Sequence, residues 1–345
     1  FEYMLKHSFK IECKMVILYF EERELLRCKD LPSIIEVKDI MIKILVHQYL
    51  WVVGCSSERN NSTPQTISSE CLETGEQKDL WNRLGSPILE TDDTPSAPSL
   101  IVVEDQLWLY YSLRNNLDDT MYLTTSRDGE RWEDPKPILG LEDDFGIKHL
   151  NVHQRDNTFQ AYMGGSVLSI LESEDGISWT KTNRDIVENN DFDEWGQLYP
   201  SLGQSGNRFW YTGFSGTTYA IGLAEYDGTS WLNKGAVLEM DELTEYENSA
   251  VAQSSILHNE NDIFMWYGGY DTSNSDLGPW RILLATSEDG LLWNKQGLAL
   301  DLTSEGEEAY SVREPSVVYW REGLWMAYIS MGDDSIYRLR LANCQ

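Results

Sequence analysis

Basic residues are scarce in this chain: 27 Lys and Arg stand against 57 Asp and Glu, for a net charge of −30. Such a surface repels phosphate, which excludes nucleic acid and anionic membrane as partners. What remains is an uncharged or cationic ligand, or simply a solvated acidic surface. Cysteine is sparse too. None of the five (Cys13, Cys28, Cys55, Cys71, Cys344) forms a Cys-x-x-Cys pair, so a thiolate zinc site is excluded. No Ser-His-Asp order or zinc-helix motif is present. Gly164-Gly165 and Gly268-Gly269 follow strand-like runs but precede no helical pattern, so they do not cradle phosphate. The apolar stretch at 42–53 is too short for an ordinary spanning helix.

The charge is unevenly spread. Residues 1–55 carry eight basic and eight acidic side chains, so the remainder of the chain holds the whole excess. Met41, Lys43 and a short apolar run ending in Val52-Val53-Gly54-Cys55 have the layout of a bacterial lipoprotein signal, with a lipid on Cys55. Residues 56–79 then read as a polar tether, and the expected location is extracytoplasmic, anchored to a bacterial membrane (periplasm or cell surface). The alternative for 42–53 is a short buried strand. If Met41 is the true start, residues 1–40 are upstream, non-native sequence read in frame. Cys71 and Cys344 are then the two remaining thiols, and they either form a disulfide outside the cytoplasm or stay free.

Aromatics are plentiful, with 13 Trp and 18 Tyr, and they recur at a fixed place. Ser-x-Asp-Gly-x-x-Trp occurs at Ser126–Trp132, Ser173–Trp179 and Ser287–Trp293, and Glu225–Trp231 keeps its Asp, Gly and Trp. Asp-Gly between apolar runs is a hairpin turn. Three strand-like runs precede each turn and the Trp opens a fourth, giving units of four strands at intervals of 51, 47, 52 and 62 residues from Trp81 onward. The last unit, Pro315–Leu341, has only three runs, whereas Trp81–Leu89 at the other end looks like the outer strand Trp293–Leu300. Pairing the two ends predicts an all-β, five-bladed β-propeller over residues 80–345, with no large open edge.

These phrases, together with Tyr110-Tyr111-Ser112, Trp266-Tyr267-Gly268-Gly269 and the Pro-Ser openings at 98, 200 and 315, resemble the five-bladed glycosidase clan. That clan comprises glycoside hydrolase families 43, 32, 68, 117 and 130 and their uncharacterised relatives. The resemblance implies a sugar-binding funnel at one end of a central channel. Two carboxyls would flank the glycosidic bond there, one protonating the leaving oxygen and the other acting as base or nucleophile. Family 43 often opens its first innermost strand with Asp-Pro, and this chain has Ala97-Pro98 instead, with Asp92 and Asp93 a few residues upstream. The catalytic candidates are Glu314, in the phrase Arg313-Glu314-Pro315, and Asp93, Asp193, Glu194 and Glu247, each placed before an innermost strand. Arg313, His149, Trp195, Tyr199, Tyr246 and Tyr310 are candidates for holding an oligo- or polysaccharide, the aromatics by stacking. Trp280 is a further aromatic of this kind. No cofactor is expected, a channel-bound divalent cation such as calcium being the one left open. The runner-up function is a non-catalytic propeller that binds carbohydrate or protein at the cell surface, favoured by the Ala at position 97.

Overall fold

The computed structural model describes residues 69–72, 80–91, 93–115, 118–141, 148–241, 244–259, 262–272 and 279–344. The signal reading of 41–55, the segment 1–40, most of the proposed tether and Asp92 lie outside them. Apart from one 3-10 turn at Ser69–Leu72, the described elements are strands.

They form five antiparallel sheets. Blade 1 holds β3 (Thr94–Val103), β4 (Gln106–Asn115), β5 (Asp118–Ser126) and β6 (Lys136–Pro137). Blade 2 holds β7 (His149–Arg155), β8 (Thr158–Gly164), β9 (Ser169–Ser173) and β10 (Thr180–Arg184). Blade 3 holds β11 (Gly196–Leu202), β12 (Arg208–Phe214), β13 (Tyr219–Tyr226) and β14 (Trp231–Leu238). Blade 4 holds β15 (Ala250–Asn259), β16 (Asp262–Tyr270), β17 (Trp280–Ser287) and β18 (Asn294–Leu300). Blade 5 takes β19 (Ser311–Trp320), β20 (Gly323–Met331) and β21 (Tyr337–Cys344) from the end of the chain. Its outer edge comes from the start: β1 (Asn82–Arg83) and β2 (Leu89–Glu90) both pair antiparallel with β21, Asn82 opposite Asn343 and Leu89 opposite Leu339. The innermost strands touch in the cyclic order β3, β7, β11, β15, β19 and back to β3, so the molecule is a closed five-bladed propeller.

The turn motif explains itself in atoms. In each of the three full copies the Ser hydroxyl accepts the Gly N–H, at 2.9, 2.9 and 2.8 Å. The Asp carboxylate accepts the next two backbone N–H groups, as Asp175 does from Ile177 at 2.8 Å and Ser178 at 2.7 Å. Gly129, Gly176 and Gly290 sit at φ of 77°, 73° and 73°, where a Cβ is strained. They also lie against aromatic rings of the preceding blade, and a Cβ on Gly290 would come within 2.5 Å of Trp210. Each turn therefore closes its own hairpin and docks on its neighbour. The following Trp does likewise: Trp179 meets Tyr110, Trp231 meets Tyr162, Trp293 meets Trp210 and Trp81 meets Trp266, all edge-on at 5.7–6.2 Å. Accordingly the apolar core is divided into five clusters, one between each pair of adjacent blades.

Cys71 and Cys344 form a disulfide, with Cα atoms 5.7 Å apart across a sequence separation of 273 residues. It ties the entering chain to the last strand, on the sheet whose closure depends on both ends.

Candidate functional site

A ring of hydrogen bonds builds the channel. Ser99 Oγ accepts Val152 N–H, Asn151 Oδ1 accepts Leu202 N–H, Ser201 Oγ accepts Ile256 N–H, Ser255 Oγ accepts Val317 N–H and Ser316 Oγ accepts Leu100 N–H, all at 2.8–3.0 Å. Each blade thus supplies one acceptor to the next. The ring satisfies five buried N–H groups that face the axis rather than a neighbouring strand, which is why the Pro-Ser phrases recur.

Two residues before each acceptor stands the side chain that meets the channel: Ala97, His149, Tyr199, Gln253 and Glu314, which together line a cavity of about 30 Å³. In four blades a bulge interrupts the innermost strand at this place, between Ser96 and Ser99, Leu198 and Ser201, Ala252 and Ser255, and Arg313 and Ser316. The bulged residue adopts positive φ: 51° at Ala97, 46° at Tyr199, 63° at Gln253 and 57° at Glu314. A left-handed non-glycine residue costs about 1–3 kcal/mol, and such strain gathers at sites where a side chain must be re-aimed. Blade 2 has no bulge, and His149 reaches the channel from a regular strand.

Glu314 is the carboxylate of this ring. Its Oε2 accepts the Ser96 hydroxyl at 2.9 Å and the Ala97 N–H at 2.5 Å, while its Oε1 accepts the Tyr199 hydroxyl at 3.3 Å. Arg313 Nε lies 3.3 Å from Oε1 as an ion pair, and the Arg313 guanidinium covers the Tyr337 ring at 4.9 Å. The Tyr199 ring stacks on His149 with centroids 3.7 Å apart. Burial raises the Tyr199 hydroxyl well above the ordinary phenol range, and the Glu314 charge adds to it, so this tyrosine stays protonated. His149 Nδ1 and Ser254 Oγ, both on lining residues, have no protein hydrogen-bond partner among the described residues. Behind His149, Arg114 holds Asp119 through two bonds of 2.8 and 3.0 Å, and Asp119 in turn accepts the Lys148 N–H at 3.0 Å.

No protein-family model matches this chain, and no curated protein is similar to it. Solved structures do resemble it. One described as a glycoside hydrolase superposes with a TM-score of 0.63 at 11% identity, covering 77% of this chain and 91% of that one. A thermostable family-43 glycoside hydrolase gives 0.57 at 14% identity, covering 74% and 90%. A GH43_1 enzyme from Xanthomonas citri gives 0.55 at 12% identity, covering 76% and 90%. The chain has the five-bladed fold of the family-43-type glycoside hydrolases. At these identities the likeness is one of fold, and chemistry rests on the residues themselves.

Within this propeller, the remaining sequence-predicted residues make other contacts. Asp193 is fully buried and accepts from Tyr211 Oη at 2.7 Å, Gln197 Nε2 at 2.9 Å and Asn233 Nδ2 at 3.0 Å. Glu247 accepts from Tyr267 Oη at 2.8 Å and pairs with Lys295 at 2.6 Å. Glu308, which the sequence reading did not single out, repeats the arrangement: it accepts from Tyr328 Oη at 2.8 Å and Arg83 Nε at 2.6 Å. All three acids stand six positions before a channel residue and face the tyrosine of their blade's second strand, so they brace the blades. Glu194 is exposed, and Asp93 lies half-buried in the lead-in to β3, its N–H on Thr91 Oγ1 at 3.3 Å. Tyr246 sits under Arg281, 5.3 Å from its ring centroid, and Trp280 stacks on Tyr270 at 4.9 Å. Tyr310 and Trp195 are exposed, at 37% and 69%. Among the described residues no group of three or more His, Cys, Asp or Glu is placed to hold a metal ion.

Two imidazoles, His149 buried and His153 half-buried, set a pH dependence. Burial, opposed by the Asp119 charge and reinforced by Arg114, pushes His149 down to about 3, and burial pushes His153 down to about 4. Both are neutral in the folded chain at pH 5, whereas the unfolded chain protonates them below about 6.5. Stability is therefore full above that value and is lost as pH falls toward the folded values. At pH 5 the folded state should bind about two fewer protons than the unfolded state from these groups. Urea titrations between pH 7.5 and 4.5 should show a steady decline in wild type and a flatter profile in His149→Gln/His153→Gln. Equal slopes would rule the imidazoles out as its source.

Proposed function

We propose that this chain binds a carbohydrate at the mouth of its channel and does not cleave it by the two-carboxylate route. The observation that carries this reading is the composition of the ring. Acid/base hydrolysis needs two carboxyl groups about 5–10 Å apart around the scissile bond. Of the five channel positions, only Glu314 supplies a carboxyl, and both its oxygens already accept protein hydrogen bonds. Asp193 and Glu247 are engaged with tyrosines elsewhere. The solved neighbours described as glycoside hydrolases support a sugar as the ligand class, with His149, Ser254, Gln253 and Arg313 offering polar atoms to its hydroxyls. The Cys71–Cys344 disulfide supports a location outside the reducing cytoplasm.

One observation favours catalysis as a second reading. The Tyr199 hydroxyl donates to Glu314, and a tyrosine beside a glutamate is an alternative glycosidase nucleophile in which the carboxylate receives the phenol proton. Nitrophenyl glycosides decide between the two, because their leaving group departs as the phenolate and needs no protonating acid. The binding reading expects no turnover across a panel of such glycosides, and saturable binding of an oligosaccharide from a glycan array. Turnover that disappears in Tyr199→Phe would replace it with the second reading.

A further inference from the structure

A cavity of about 460 Å³ lies between blades 2 and 3, beside the channel. That lies within the size range of small-ligand sites. Its walls come from Gly164–Ser169 and β10 on one side and from the start of β11 with the β12–β13 turn on the other. Its described lining is basic, in a chain with twice as many acids as bases. Lys181 and Arg184 line it, Lys148, whose Nζ donates to Asp119 O at 2.7 Å, borders it, and among the described residues no Asp or Glu does. Field lines from such a recess attract an anion even when the net charge is negative.

Aromatic rings complete the recess. Phe214 and Tyr219 stack at 4.5 Å on its wall. Trp195 stands at its edge, 69% exposed, yet it is held in place. Its backbone N–H donates to Phe214 O at 2.9 Å, and Gly216, at φ 97°, lies so close that a Cβ there would be 3.0 Å from the indole nitrogen. A solvent-facing indole and a guanidinium lining one cleft suit a sugar ring that carries a carboxylate. The indole takes the C–H face of the ring, and the planar Arg184 fork can take both carboxylate oxygens.

We propose that this cleft is a second binding site, specific for a uronic-acid unit of a glycan. It is separate from the channel: Lys148 and Leu198 face the cleft, while the next residues, His149 and Tyr199, face the channel as a stacked pair. The experiment is isothermal titration of the full chain with trigalacturonate, with a neutral galactotriose and with a sulfated heparin disaccharide. Trigalacturonate should bind at least tenfold tighter than galactotriose at low salt. Arg184→Ala and Trp195→Ala, both at exposed positions and checked for folding by circular dichroism, should each weaken it tenfold or more. Equal binding of acidic and neutral trisaccharides overturns the proposal, and so does binding confined to the sulfated sugar. Loss of trigalacturonate binding in Glu314→Gln with no loss in Arg184→Ala puts the acid in the channel instead. That result overturns the cleft while leaving the channel reading intact.

Discussion

Trp81→Ala should lower the unfolding free energy by about 3–5 kcal/mol in chemical denaturation, the cost of emptying a large buried aromatic site. Trp81 is 2% exposed and lies edge-on to Trp266 at 6.2 Å, within the core shared by blades 4 and 5. It also leads in the two short strands that complete blade 5, so the loss falls on the one sheet assembled from both ends of the chain. Trp195→Ala removes a tryptophan of the same size from an exposed position and should change stability by no more than about 0.5 kcal/mol. A double Cys71→Ala/Cys344→Ala variant, which frees the same closure covalently, should lose about 3–5 kcal/mol. A Trp81→Ala protein within 1 kcal/mol of wild type would mean that ring closure contributes little to the fold.

Closure was legible because it rests on repetition. Trp81 stands to β21 as Trp293 stands to β17, and a strand in excess at one end matched a strand lacking at the other. The detail was not legible: Trp81–Leu89 reads as one outer strand, whereas the structure splits it into Asn82–Arg83 and Leu89–Glu90. Gly85-Ser86-Pro87 interrupts the ladder, since Pro87 has no N–H to donate, and Leu84 and Ile88 on either side still bond to Leu341 and Leu339 at 3.0 and 2.8 Å. The channel was legible only in outline. Pro-Ser phrases marked its strands, but the bulge that turns Ala97, Tyr199, Gln253 and Glu314 inward uses no glycine and so leaves no compositional trace. The contacts of the acids before the innermost strands were hidden for a related reason. Asp193 and Glu247 look like a catalytic cluster in sequence, and nothing local says that their partners are Tyr211 and Tyr267 on the adjacent strand. Glu308 plays the same part, and its common offset of six residues becomes meaningful only once the channel positions are known.

Substitutions at Glu314 should separate its structural and functional roles. Glu314→Leu removes every acceptor at once and leaves the Ser96 hydroxyl, the Ala97 N–H and the Tyr199 hydroxyl without their partner. It also strands Arg313, whose side chain is only 20% exposed, as an uncompensated charge. Breaking a buried pair from one side costs about 3–5 kcal/mol, so this variant should be strongly destabilised in denaturant titrations. Glu314→Gln keeps the shape and one carbonyl oxygen, which can still accept from Ser96 and Ala97, and its amide can donate to Tyr199 once that hydroxyl rotates. Only the attraction to Arg313 is lost, and stability should fall by about 1–2 kcal/mol. Its ligand behaviour should change far more. The charge that orients Tyr199 and Arg313 is gone, and oligosaccharide affinity at the channel mouth should drop by tenfold or more in titration calorimetry. A Gln variant that folds and binds like wild type would remove Glu314 from the site, whereas a Leu variant as stable as wild type would show that the four contacts around the carboxylate do not hold blades 1, 3 and 5 together.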